Sequence, residues 1–326
     1  MSVKLRDVAA RAGVSISTVS NVLNGYTKSG IRQETCEKVR QIATEMGYRP
    51  NALARSLKVQ RTGTIGFYTG YGSYDARDRF RAEIYTGILS ACDQFGLDLH
   101  IHGNLAGKGP EAIRMRLTDG RVDGVVVLAA QDDPAVACLI ESGLPTVAIA
   151  DRQPGMPSVD ASDEMGMQLL VDYLWGRGHR RLMYLEPHSE RESIARRIAA
   201  FHRTVAARGG EATVARYPWE ETEAFLRAIL AQPDRPTALC SFNDDSAYLL
   251  LRRASDAGIR IPDDFAVVGY DGLLAGNAAG RDLVTAGVPW DRIAAESVRL
   301  LQQIIEGETV PLLTSFPVTL IAGDTA

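Results

Sequence analysis

The stretch "GVSISTVSNVLNGY" (residues 13–26) decides the first reading of the chain. Over residues 15–24 the apolar Val19, Val22 and Leu23 recur at helical spacing, so they share one face of a short helix. The other face carries Ile16, Ser17, Ser20 and Asn21, short groups where a solvated helix usually carries Glu and Lys. Gly13 can take the positive φ of a tight turn, and Ser15 can cap the N–H groups that follow. Such a face suits the major groove of DNA, where long charged side chains would blur contacts to base edges. Asn21 matches an adenine edge and Ile16 a thymine methyl, whereas Thr18, Ser20 and Asn24 suit phosphates or local caps. An ordinary polar helix face is the competing reading.

The flanking segments give this helix something to rest on. "LRDVAARA" (5–12) and "QETCEKVRQIATEMG" (33–47) are also helical in period; Val8, Ala9 and Ala12, then Val39, Ile42 and Met46, supply two more inward stripes. With only "GV" between the first two helices, the layout is helix-turn-helix within a domain of residues 1–50. Pro50 ends the third helix, Asn51 is a candidate cap, and residues 52–58 make about two helix-favouring turns before a linker that ends near Gly63. Residues 51–61 are therefore assigned to a short helix and linker, which the family resemblance given below makes a hinge helix, and a helix so far below the roughly 12–15 residues that are marginally stable alone needs a partner.

Charge points the same way. The 326 residues carry a net charge of −4, yet residues 1–61 hold 11 Lys/Arg against 4 Asp/Glu, a net +7, which leaves −11 for the remainder. A basic head on an acidic body suits a polyanion at the head. The four cysteines, Cys36, Cys92, Cys138 and Cys240, show no CxxC spacing and read as buried free thiols. No apolar run nears the roughly 18 residues that span a bilayer, and "MSVKLRDVAA" lacks the apolar core of a secretory signal, so the expected location is the cytosol.

From Thr64 short apolar strands alternate with amphipathic helices: "TIGFY", helix 79–95, "LDLHIH", helix 109–119, "DGVVVLA", helix 134–142 and "PTVAIAD". After "SVDASD" the pattern resumes with helix 163–176, "RRLMYLE", helix 191–208, "TVARY", helix 220–231, "TALCSF", helix 244–257, "FAVVGYD" and "LVTAGV". Helix 290–306 and the strands "LLTSF" and "VTLIA" close the chain. This is the grammar of parallel sheets and predicts two of them. A nucleotide-dependent enzyme is a rival for such a fold, but "TGYGSYDARDRF" after the first strand has no third glycine opening a helix, and no GxxxxGK[ST] occurs. His100 and His102 share one face of a strand without further recognisable metal ligands, and His179 is read as a cap on backbone carbonyls.

The stretches "LRDVAARAGVSISTVSNVLNG" and "ETCEKVRQIATEMGYRPNALARSL" resemble the head of the lactose-repressor/galactose-repressor (LacI/GalR) family of bacterial transcription regulators. The likeness runs on through "TGTIGF", "DGVVVLA", "GHRRLMYL", "NDDSAYLLLRRASDAGIRIPDDFAVVGYDG" and "GDTA", essentially the whole chain. It implies a small all-α helix-turn-helix head plus an α/β core of two parallel-sheet subdomains resembling periplasmic sugar-binding proteins. By that analogy the core spans 62–326, its first subdomain 62–161 and 290–318, its second 162–289 and 319–326. Ile16, Ser17 and Asn21 match the base-reading positions of the family, Leu57 its minor-groove wedge, and Ala54 and Lys58 the neighbouring hinge contacts. A leucine that wedges between base steps kinks the duplex so that two hinge helices lie together, which implies a homodimer on a near-palindromic double-stranded DNA operator.

The same resemblance marks Asp151, Arg197, Asn243 and Asp271 as contacts to a small-molecule effector, with Trp219 near an aromatic position and Phe80 in a longer segment that reshapes the cleft together with Tyr74, Asp75 and Arg77. Carboxylates, an amide and a guanidinium suit a carbohydrate. Lys4 and Arg32 depart from the usual Thr and Ser caps, and Ala200 replaces a frequent glycine. The expectation is a cytoplasmic, ligand-controlled transcription repressor with no catalytic residues, cofactor, metal or membrane partner. A sugar-binding protein without a DNA role is the alternative.

Overall fold

Among the described residues the first unit contains the helices α1 (Leu5–Ala12), α2 (Ile16–Leu23) and α3 (Gln33–Glu45). In this computed structural model the described residues are 3–24, 30–49, 56, 60–71, 78–103, 105, 107–188, 191–217, 219–273 and 281–326. The chain divides after Gly63 into two units. In the first, Val8, Ala9, Ala12, Val19, Val22 and Val39 are buried together. Cys36 and Ala43 take the innermost places on α3, while Ile42, Met46 and Leu23 pack around them half-buried, a small inward shift from the expected stripe. Gly13 has φ 69°, the left-handed turn that lets α2 leave α1 at once. At Lys4 the missing side-chain cap is offset by Asp7, whose carboxylate accepts the Lys4 N–H at 2.8 Å. Of the hinge positions, Ala54, Leu57 and Lys58 lie outside the described residues.

The second unit opens with β1 (Thr64–Thr69), α4 (Arg79–Phe95), β2 (Asp98–His102), α5 (Pro110–Leu117), β3 (Gly124–Leu128), α6 (Pro134–Ser142), β4 (Thr146–Ile149) and β5 (Ser158–Ala161). It continues with α7 (Asp163–Gly176), β6 (Arg181–Glu186), α8 (Glu192–Ala207), β7 (Glu211–Arg216), α9 (Thr222–Leu230), β8 (Ala238–Ser241), α10 (Asp244–Asp256), β9 (Ala266–Asp271) and β10 (Val284–Gly287). The last elements are α11 (Trp290–Ile305), β11 (Leu313–Phe316) and β12 (Thr319–Ile321).

These form two six-stranded sheets, in the orders β11-β5-β4-β3-β1-β2 and β12-β10-β9-β8-β6-β7. All neighbours are parallel except β12, which runs antiparallel to β10. Strands such as β3 are buried along their whole length, as a sheet covered by helices on both faces requires. The chain crosses between the sheets three times, after β5, β10 and β11. α11 packs on β3, β4 and β5 of the first sheet, and α7 on β9, β10 and β12 of the second.

β5 is the element the sequence concealed, since "SVDASD" reads as a polar boundary. Its Asp160 is fully buried and tolerable there only because Arg152 Nε (2.7 Å), Arg196 Nη2 (3.2 Å) and Ser315 Oγ (2.5 Å) surround it. β2 is an edge strand, and its His102 is buried. His179 differs from expectation: its Nδ1 meets the Thr237 hydroxyl at 2.9 Å, not a helix carbonyl. All four cysteines are free and buried. Among the described residues no helix is long and apolar enough to cross a membrane.

Candidate functional site

On α2 the apolar face is closed and the other face is open. Val19 and Val22 are buried against α1 and α3, whereas Ile16 is 52% exposed and Ser17 lies at the surface beside it. Ser15 Oγ accepts the Thr18 N–H at 3.1 Å and also meets the hydroxyls of Ser17 and Thr18, so it anchors the start of the helix. Asn24 donates to the Ser20 carbonyl at 2.7 Å and closes the other end. Ser17, Thr18 and Asn24 are thus engaged locally, and Asn21 sits half-buried one turn on from Ser17. A large apolar side chain held in water at the first turn of a short, capped helix is the kind of group that base-edge contacts use.

In the second unit a cavity of about 130 Å³ lies among strand ends and helix starts of both sheets. It gathers Asp151, Arg197, Asn243, Asp271 and Phe80. Trp219 does not line it: 45% exposed, it packs on Tyr217 at 4.6 Å and faces Phe242, itself a wall residue, at 6.1 Å. Tyr74, Asp75 and Arg77 lie outside the described residues.

Asp271 ends β9 with φ 115°, backbone strain of the sort that persists where surroundings fix a functional group. Burial lifts its carboxyl well above the carboxylate range; Arg197 opposes this, and the carboxylates of Asp244 and Asp245 add to it. Asp244, fully buried behind the cavity, accepts the Leu273 N–H at 2.6 Å and the Thr285 hydroxyl at 2.5 Å. Burial still pushes it up to about 7, against those two hydrogen bonds.

Arg197 is largely committed within the protein. Its Nε donates to Asp163 at 2.8 Å and its Nη1 to the Phe242 carbonyl at 3.0 Å, and its guanidinium lies 3.7 Å above the Tyr270 ring. Tyr270 can reach this position because Gly166 has no Cβ; one built there would stand 2.5 Å from the phenol oxygen. The second oxygen of Asp163 takes Arg196 at 2.6 Å, and Arg196 also reaches Asp160 and the Ala150 carbonyl beside the first sheet. One buried carboxylate therefore joins the cavity arginine to a clamp between the subdomains.

Several cavity residues escaped the sequence reading. Tyr71 donates its hydroxyl to Asp151 at 2.5 Å, while Asp151 also accepts the Ser193 N–H at 2.8 Å. Burial and the adjacent Asp151 raise the Tyr71 phenol, which stays protonated. The Arg191 guanidinium lies 4.2 Å above the Tyr71 ring, and its buried Nε has no acceptor among the described residues. Trp290 stands edge-on to Phe80 at 4.7 Å. No local pattern foretells contacts such as Tyr71 with Asp151, made 80 residues apart. Burial, with His100 and Arg121 nearby, lowers His102 to about 4, and no group of three or more His, Cys, Asp or Glu among the described residues could hold a metal.

Comparisons with known proteins fit both regions. Residues 4–51 match the family described as bacterial regulatory proteins, lacI family, and residues 171–326 match the periplasmic binding protein-like domain. The HTH-type transcriptional repressor PurR of Photobacterium profundum is 31% identical over 93% of this chain and 92% of its own. PurR of Vibrio cholerae serotype O1 is 32% identical over 93% and 91%. The crystal structure of the lac repressor dimer bound to operator and the anti-inducer ONPF superposes with TM-score 0.81 at 27% identity, covering 100% of this chain and 99% of that one. The transcriptional regulator CelR in complex with cellobiose gives TM-score 0.71 at 27% identity, with 99% and 100% covered.

Proposed function

The chain belongs to the LacI family of bacterial regulatory proteins, DNA-binding transcription regulators with a ligand-binding core, and on that premise we propose which of its residues do which work. The protein is a cytosolic repressor that reads a near-palindromic operator as a homodimer, and no catalytic step is assigned to it. Ile16, Ser17 and Asn21 read bases, and Thr18, Ser20 and Asn24 sit at the backbone. Ala54, Leu57 and Lys58 of the hinge (51–61) enter the minor groove. The observation that carries this reading is the geometry of α2, an exposed Ile16 and Ser17 backed by fully enclosed Val19 and Val22 on a basic head.

The effector binds the cavity through Asp151, Asn243, Asp271 and Phe80, with Arg197 fixing the wall, while Trp219 stays outside it on Tyr217. The core divides into 62–161 with 290–318 and 162–289 with 319–326, and sheet membership supports that division. The cavity of about 130 Å³ is lined by carboxyl, amide and aromatic groups of the kind that hold a carbohydrate. Binding that shifts the subdomains changes operator affinity by its differential affinity for the two arrangements.

Selection of bound duplexes from random DNA tests the proposal, followed by titration of the selected duplex with monosaccharides. A near-palindromic consensus whose affinity moves with one sugar is expected. Absence of any enriched sequence would overturn the DNA assignment, and a consensus insensitive to every sugar would overturn the ligand assignment alone.

A further inference from the structure

Three successive residues on the side of the first sheet hold the start of α8, which belongs to the second. Just after β4 the Ala150 carbonyl accepts Arg196 Nη2 at 3.3 Å, and the Asp151 carboxylate accepts the Ser193 N–H at 2.8 Å. The Arg152 N–H is donated to Glu192 Oε2 at 3.1 Å. Arg196 also reaches Asp160 of β5 at 3.2 Å, while its bonds to Asp163 and Glu192 stay on its own side.

Two further features lie in this seam. α8 has no side-chain cap at Arg191, so the Ser193 N–H, one of the four that a helix start leaves without an intrahelical acceptor, is capped from the other sheet by Asp151. Ala150 has φ 69°, and the Asp151 N–H closes across it onto the Ile149 carbonyl at 2.9 Å. That three-residue turn is rare and strained for a residue with a Cβ, and it persists here where bonds from α8 fix residues 150–152 in turn.

The charges around Arg196 divide into two neutral halves. Arg152 pairs with Asp160 at 2.7 Å on the first side, and Arg196 and Arg197 face Glu192 and Asp163 on the second. Parting the halves therefore exchanges hydrogen bonds for water without breaking up either ion-paired set, a far smaller cost than stranding a buried charge. Asp151, on losing Ser193, keeps the Tyr71 hydroxyl on its own side. Asp151 and Arg197 line the cavity from opposite sides of the seam, so parting it opens the cavity.

We propose that this seam is a reversible latch with Arg196 as its strut, which holds the two sheets together in the free protein and parts to open the cavity. The latch stands whatever ligand the cavity takes.

Amide hydrogen exchange of the full-length protein at pH 7, without ligand, reads the latch directly, because the Arg152 and Ser193 N–H groups are donated across it. Arg196→Met should speed exchange at both amides about tenfold, while Val126 in β3 and Val268 in β9 stay within about twofold of the parent. Asp160→Asn, which leaves Arg196 on Asp163, should speed the same two amides about threefold. Unchanged exchange at Arg152 and Ser193 in both variants would overturn the latch. Acceleration equal at the seam and in the core strands would overturn it too, since Arg196 would then act on overall stability alone. Should Arg196→Met fail to fold, Arg196→Lys decides by the same two criteria, because a single ammonium cannot hold the fork of acceptors that the guanidinium spans.

Discussion

Helix α2 and the core cavity hold their polar groups in opposite states. Ser17 lies in water beside an Ile16 that is 52% exposed, whereas Arg197, Asp163 and Asp160 are at most 5% exposed and each bonds several partners. Groups of the first kind are available to a macromolecule and contribute little to folding. Groups of the second kind hold the protein together, and ligand acts on them only by rearranging what they hold. Substitutions in α2 should therefore change binding at nearly constant stability, and substitutions in the buried network should change stability first.

Asp163→Asn should give the largest effect. It leaves Arg196 and Arg197 buried with less opposing charge, so urea unfolding should show a loss of about 3–5 kcal/mol. Ser17→Ala should stay within about 0.5 kcal/mol of the parent in the same measurement. Equal stabilities for the two variants would erase the contrast.

Titration of Asp244 should give the next largest effect. Its folded-state value of about 7 stands above the ordinary 3.8, so between these limits the folded chain keeps a proton that the unfolded chain releases. The contribution is full below 3.8 and is lost as pH rises through about 7. Unfolding free energy should therefore fall between about pH 5 and pH 8 by an amount on the order of 1–3 kcal/mol, and Asp244→Asn should flatten that slope. Asp271 acts in the same direction, so the flattening will be partial. A slope of opposite sign, or one that Asp244→Asn leaves intact, would show that the carboxyl is ionised throughout.

Tyr71→Phe sharpens the comparison at the smallest scale. Removing the hydroxyl takes a donor from buried Asp151, at about 1 kcal/mol of stability, but frees that oxygen for a ligand hydroxyl. Unfolding should show slight destabilisation while titration with a sugar shows tighter binding. Weaker binding would make Tyr71 a ligand contact instead of a stand-in for one.

What could be read from the sequence follows from the range of the interactions involved. α4 and α6 declare themselves through periodic apolar residues and local caps, and α2 through a face too short-chained for an ordinary surface. β5 stayed hidden because Asp160 makes it look like a loop until Arg152 and Arg196 are brought to it. In the cavity, strand-end carboxylates were visible, but the partners that fix their charge were not. Asp163, the counter-ion of Arg197, lies 34 residues away on another helix. Trp219 shows the reverse case, an aromatic that suits a sugar face by type and is carried outside the cavity by its packing on Tyr217.

The central claim is that α2 reads bases. Its most direct test compares affinities for a selected near-palindromic duplex and its scrambled version at one salt concentration, for the parent and Asn21→Ala. The account predicts at least a roughly 10³-fold preference in the parent. Asn21→Ala should lose about 1–3 kcal/mol of discrimination at one symmetric base position, with scrambled binding unchanged. A parent that binds both duplexes alike, or an Asn21→Ala that weakens both equally, would contradict it.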